Sequence, residues 1–190
     1  MRTVRKSDKL ANVLYDIRGP IMDAARQMEE DGQKIIKLNI GNLGHFGFDA
    51  PEEIQRDMIR NLPNSAAYSD SKGIFAARKA VMHYTQQQGI EGVRLEHIYL
   101  GNGASELINM ATSGLLNEGD ELLIPTPDYP LWTACAGLAG GTPVHYRCDE
   151  ANGWMPDPDD IRRRITPATK GIVVINPNNP TGALYSDELL

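Results

Sequence analysis

The stretch KGIVVINPNNPTG, residues 170–182, decides how the fold is read. Its run of β-branched residues at 172–175 suits a strand covered on both faces, as in a parallel sheet. Pro177 and Pro180 cannot donate to a strand ladder, so the sheet must end where they begin. In open α/β sheets the loops beyond the carboxyl ends of the strands are where ligands sit. Asn176, Asn178 and Asn179 place amide donors and acceptors on a loop that two prolines hold stiff. Asn and Pro also make ordinary turns, but a double Asn-Pro loop directly after a buried strand points to a ligand.

Working outward, helical and strand patterns alternate along the chain, the mark of an α/β fold. Helices are expected over 17–30, 52–61, 74–88 and 105–117, with a helix or turn through Ala139 and a capped helix in PDPDDIRRRI. Strands are expected over 34–40, 97–100, 120–125, 142–146 and 170–175. There is no internal repeat and no low-complexity segment. At the far end, YSDELL places Ser186 as an N-cap with Asp187 and Glu188 in a first helical turn. Because the chain stops at Leu190, it is expected to be the N-terminal part of a longer protein.

The composition narrows the class. The chain has 190 residues, 41% of them hydrophobic, enough for one substantial core. A net charge of −6 argues against a nucleic-acid binder. No apolar run reaches the roughly 20 residues of a membrane span. The basic N-terminus (Arg2, Arg5, Lys6 and Lys9, with Asp8 among them) reads as a solvated arm rather than a targeting peptide. Cys135 and Cys148 suit a reduced cytoplasm better than a disulfide framework. The pair His145 and Cys148 offers only two ligands, so no metal site is expected there. A buried thiol and a surface imidazole are the expectation instead.

Two further stretches carry chemistry. YLGNGASELI, 99–108, is a strand pattern, a glycine loop and a helix start, a place where free N–H groups and the helix dipole favour phosphate. It is neither a dinucleotide fingerprint, since Glu106 stands where the third glycine belongs, nor a P-loop, since no Gly-Lys-Ser/Thr occurs. PTPDYPLW, 125–132, presents Tyr129 and Trp132, the latter read as core filler. Ser69 and Lys72 have serine-acylase spacing without the rest of that machinery.

Taken in order, N-P-x-N-P-T-G after a buried strand, the glycine cup and the aromatic after TP resemble the fold-type I pyridoxal-phosphate aminotransferases, over nearly the whole chain. The resemblance implies a three-layer α/β/α fold with a mainly parallel sheet, truncated here. Residues 1–50 would form an N-terminal arm and part of a small domain, and 51–190 the first half of the cofactor domain. It implies pyridoxal 5'-phosphate as cofactor, with the phosphate on Gly103, Ala104 and Ser105, the ring stacked on Tyr129, and Asn179 donating to its phenolic oxygen. A cis bond is implied at Asn179–Pro180. In AYSDSKG followed by Arg78, Tyr68 would reach the cofactor phosphate of a second subunit, implying a homodimer.

YDIRGPI, LNIGNLGHFGFDAP and INPNNPTGALYS together resemble the bacterial alanine aminotransferases, which exchange an amino group between glutamate and pyruvate. Leu43 departs from that pattern, where proline is common. The resemblance places Tyr15, Gly41 and Asn179 near the substrate. Arg18 is a candidate for glutamate's side-chain carboxylate, with an exposed helix arginine as the alternative. The Schiff-base lysine, the carboxylate facing the pyridine nitrogen and the α-carboxylate arginine are implied beyond Leu190, so the chain alone is expected to be inactive. The competing readings are a β-lyase or another aminotransferase, and the effector-sensing domain of a transcription regulator. The short arm ahead of residue 17 speaks against the last.

Overall fold

The computed structural model describes residues 3–11, 13, 19–38 and 40–190. It divides into two compact units, one of Met1–Asp16 with Gly101–Leu190 and one of Ile17–Leu100.

The larger unit is built on a sheet. Strand β1 (Glu121–Thr126) pairs in parallel with β2 (Thr142–Asp149) on one side and β4 (Thr169–Ile172) on the other. The two-residue β3 (Met155–Pro156) pairs antiparallel with β2, so the order is β3-β2-β1-β4. This is the mainly parallel α/β arrangement that the alternation of patterns predicts.

Consecutive residues of a strand point to opposite faces, yet Leu123 and Ile124 are both fully buried. Both faces of β1 must therefore be covered. On one face Ile124 packs with Leu116, Ala136 and Val173, beneath helix α5 (Leu131–Leu138), which itself lies against α4 (Ala104–Leu115). On the other face Leu123 packs with Tyr146 and Cys148, and Ile161 brings α6 (Pro158–Arg164) against them. Three layers result. Asp157 caps α6, accepting from the backbone of Asp159 at 2.9 Å and of Asp160 at 3.0 Å, with Pro158 at the first helical position. At Ser186 the carbonyl accepts from the N–H groups of Leu189 and Leu190, forming a single turn where a helix start was expected.

The second unit holds α1 (Gly19–Glu30), α2 (Glu52–Asn61) and α3 (Phe75–Gln87), close to the expected bounds. Two expected strands do not form. Residues 34–38 and Ile40 join no ladder, and over 97–100 a 3-10 turn at Leu95–His97 is followed by unladdered extended chain. A strand exists only through a hydrogen-bonded neighbour, and here the Leu100 N–H donates to the turn carbonyl of Lys72 at 2.9 Å instead. That turn needs Gly73: its φ is +104°, and a Cβ there would stand 2.7 Å from the Leu100 side chain.

Candidate functional site

The loop after β4 begins from its anchors. The Asn176 carboxamide oxygen accepts from the Tyr185 N–H at 2.9 Å. Asn178 is buried; its amide donates to Thr181 Oγ1 at 2.9 Å and to the Pro127 carbonyl at 3.4 Å. Its backbone closes the loop, donating to the Ala183 carbonyl at 2.8 Å and accepting from the Gly182 N–H at 2.7 Å. Two of the three asparagines thus hold the loop. The third, Asn179, is exposed, and its amide has no partner among the described residues. The bonds Asn176–Pro177 and Asn179–Pro180 are cis, as is Thr126–Pro127, so the isomer expected before Pro180 is present.

The glycine cup opens α4. Gly103, at φ +85°, is the N-cap, and the Leu107 N–H makes the first helical bond back to its carbonyl. The N–H groups of the first turn are left free of helical partners, as at any helix start. A Cβ on Gly103 would meet nothing within 4 Å, so the space in front of the cup is open. Gly101 is different: a Cβ there would stand 2.7 Å from the Leu107 side chain, a packing reason for its glycine. The Glu106 carboxylate turns back to accept from the Asn102 N–H and closes the loop.

These two loops and the aromatic meet in one cavity of about 560 Å3. Its wall carries Ala104 at the helix start, Tyr129, and Asn179, over an apolar floor that includes Ile108, Trp132 and Ile175. Trp132 also packs against the core, so it is both filler and floor. Gly103 and Ser105 flank Ala104 outside the lining. No lysine lines the cavity. An apolar cavity of this size with a few convergent polar groups is the usual form of a small-molecule site.

Other expected site residues lie elsewhere. Tyr68 and Gly41 are in the second unit, both exposed. Tyr15 and Arg18 fall outside the described residues. Arg78 is buried, donating to the Leu95 carbonyl at 2.7 Å and, at 3.5 Å, to the carboxylate of Asp70 in the turn that follows Tyr68. Lys72 lies 4.9 Å over the Tyr99 ring and donates to the Glu96 carbonyl, occupied as a structural cation rather than as part of an acylase pair. Both cysteines are free and buried, and no metal-binding group of His, Cys, Asp and Glu occurs among the described residues. Burial pushes both thiols up from their ordinary pKa. No helix is long and apolar enough to cross a membrane among the described residues.

One grouping was not foreseen from sequence. His145 is not a surface imidazole but half-buried, its Nε2 2.8 Å from Thr133 Oγ1, which lies 3.5 Å from the Asp128 carboxylate. The only sequence signal was an acid directly before the ring residue, in PDYP.

The mainly parallel sheet, the glycine turn at the start of α4 and the Asn-Pro loop define an α/β scaffold with a cavity beyond the strand ends. The chain belongs to the family Aminotransferase class I and II, whose pattern matches residues 33–190. Among its relatives, it is 60% identical over all 190 residues to the glutamate-pyruvate aminotransferase AlaA of Escherichia coli, covering 47% of that protein. It is 55% identical to the alanine aminotransferase of Mycobacterium tuberculosis, again over the whole chain and 44% of that protein. An aminotransferase structure from Escherichia coli superposes with a TM-score of 0.93 at 60% identity, covering 99% of this chain and 46% of that one. The chain thus spans about half the length of the curated relatives it matches.

Proposed function

We propose that the intact protein binds pyridoxal 5'-phosphate in the 560 Å3 cavity and transfers an amino group between an amino acid and a 2-oxo acid, with glutamate and pyruvate as the pair. The observation that carries this reading is the meeting of the α4 start, Tyr129 and the unengaged Asn179 on one wall. The names of the relatives at 60% and 55% identity support the choice of substrates.

The residues present fit the cofactor. Free N–H groups of the first turn of α4 and the Ser105 hydroxyl suit its phosphate, with the helix dipole favouring the anion. The Tyr129 ring suits its planar ring face, and stacking of that kind contributes about 1 kcal/mol beyond area burial. The Asn179 amide is the donor for its phenolic oxygen, which favours the deprotonated form of that oxygen. When bound, the cofactor supplies an electron sink for the carbanion formed at the amino acid's Cα. This chain's own part is to hold, orient and screen: the apolar floor excludes water, and Asn179 at the rim also reaches toward a substrate carboxylate. Under the same proposal Gly41, Tyr15 and Arg18 contact the substrate, and Tyr68 reaches the site of a second subunit in a cytoplasmic homodimer. Residues 1–50 then belong to the arm and small domain and 51–190 to the cofactor domain, with the Schiff-base lysine outside this chain.

The test is visible absorption of the intact protein mixed with pyridoxal phosphate. A visible absorption band that gives way to one at shorter wavelength on adding L-glutamate, and returns with pyruvate, is expected. A band that glutamate leaves unchanged, with ammonia and pyruvate released from a cysteine conjugate, would establish the β-lyase instead.

A further inference from the structure

Three contacts among the described residues help to hold the segment that presents Tyr129. Before it, the Pro127 carbonyl accepts from the Asn178 amide at 3.4 Å. After it, the Tyr129 carbonyl accepts from the Trp132 N–H at 3.3 Å, at the start of α5. Both are long for N–H···O bonds. The third is long as well: the carboxylate of Asp128, next to the ring residue, faces Thr133 Oγ1 at 3.5 Å in the first turn of α5. The same hydroxyl is 2.8 Å from His145 Nε2 on β2.

A hydroxyl carries one proton, so with Asp128 ionised Thr133 donates to its carboxylate and accepts from His145 in the tautomer that carries the proton on Nε2. His145 pairs in register with Ile124 of β1 and so stands on the α5 face of the sheet. Loop, helix and strand are therefore joined through one hydroxyl. Desolvation of the half-buried Asp128 carboxyl raises it above its ordinary pKa, opposed by the charge of His145 and the Thr133 hydrogen bond.

We propose that Thr133 and His145 are positioning residues that hold Asp128, and with it the Tyr129 ring, at the cavity wall. The consequence for cofactor binding rests on the function proposed above; the tether itself does not.

The test places 3-fluorotyrosine at position 129 of the intact protein and reads its fluorine NMR signal before any cofactor is added. One narrow resonance is expected for the parent, a shifted or broadened one for Thr133→Val and for His145→Ala, and recovery in Thr133→Ser, which keeps the hydroxyl. The dissociation constant for pyridoxal phosphate should rise about two- to tenfold in Thr133→Val, the range expected when one ring contact is misplaced. An unchanged fluorine signal in a folded Thr133→Val protein overturns the proposal, even where the variant melts earlier, because a purely structural role lowers stability without moving the ring. If Thr133→Val does not fold, His145→Ala decides by the same signal. A parent protein that binds no pyridoxal phosphate would overturn the cofactor reading, while the fluorine signal still decides the tether.

Discussion

The neighbours Asn178 and Asn179 should behave in opposite ways when each is replaced by alanine. Asn178 is 3% exposed, and its amide donates to Thr181 Oγ1 at 2.9 Å and to the Pro127 carbonyl at 3.4 Å. A buried hydrogen bond contributes about 1 kcal/mol net, and an acceptor left unsatisfied costs about 1–3 kcal/mol. The longer bond counts for less, and Thr181 Oγ1 still accepts from the Ala183 N–H at 3.2 Å. The Asn178 carboxamide oxygen is itself buried without a partner among the described residues, so its removal returns part of the loss. Asn178→Ala should therefore cost about 1–2 kcal/mol in urea unfolding of the intact protein. Asn179 is exposed and unengaged, so Asn179→Ala should leave stability within about 0.5 kcal/mol. Its loss should appear in pyridoxal-phosphate affinity, lowered by about tenfold, as for a hydrogen bond to a charged oxygen. The reasoning is refuted if Asn179→Ala destabilises as much as Asn178→Ala, or if Asn178→Ala costs nothing.

Tyr146→Phe removes the hydroxyl that donates to the Val173 carbonyl at 2.7 Å at a 1% exposed site; urea unfolding should show a loss of about 1–2 kcal/mol, and an unchanged midpoint would count against that bond. Hydrogen bonds from Arg164, the Arg147 N–H and Arg163 hold the Asp160 carboxyl down at about 2, below its usual 3.8. Its folded-state pKa is depressed, so its stabilisation is present above pH ~4 and is lost as the pH falls through ~2. Asp160→Asn should flatten that acid limb of the unfolding free energy, and an unaltered limb would refute the assignment. Gly73→Ala puts a Cβ 2.7 Å from Leu100 at a φ of +104°, and should lower stability by about 2 kcal/mol or more in thermal unfolding, where a silent substitution would contradict the close approach.

Much of this molecule was legible locally. Helix bounds at 52–61 and the Asp157 cap follow from turn chemistry within a few residues, whereas the run at 172–175, expected to be a strand covered on both faces, leaves its ladder after Ile172 with Ile172 and Val174 exposed; the doubly covered strand is β1. The loop at 175–182 was recognisable as the end of the strand, because its prolines cannot continue a ladder. What each of its asparagines does was not, because Asn178 is fixed by a carbonyl 51 residues away and Asn176 by an N–H 9 residues on. Strands expected at 34–40 and 97–100 failed on the same ground: alternation describes one chain, whereas a strand needs two. The Asp128–Thr133–His145 chain joins loop, helix and strand, and nothing in their spacing marks them as neighbours. Sequence by itself determined the helices of the chain and the class of the sheet. Only the packing of the sheet decided which residues are consumed in holding the loops and which, like Asn179, are left facing the cavity, because burial and partnership are set by long-range contacts that no local pattern encodes.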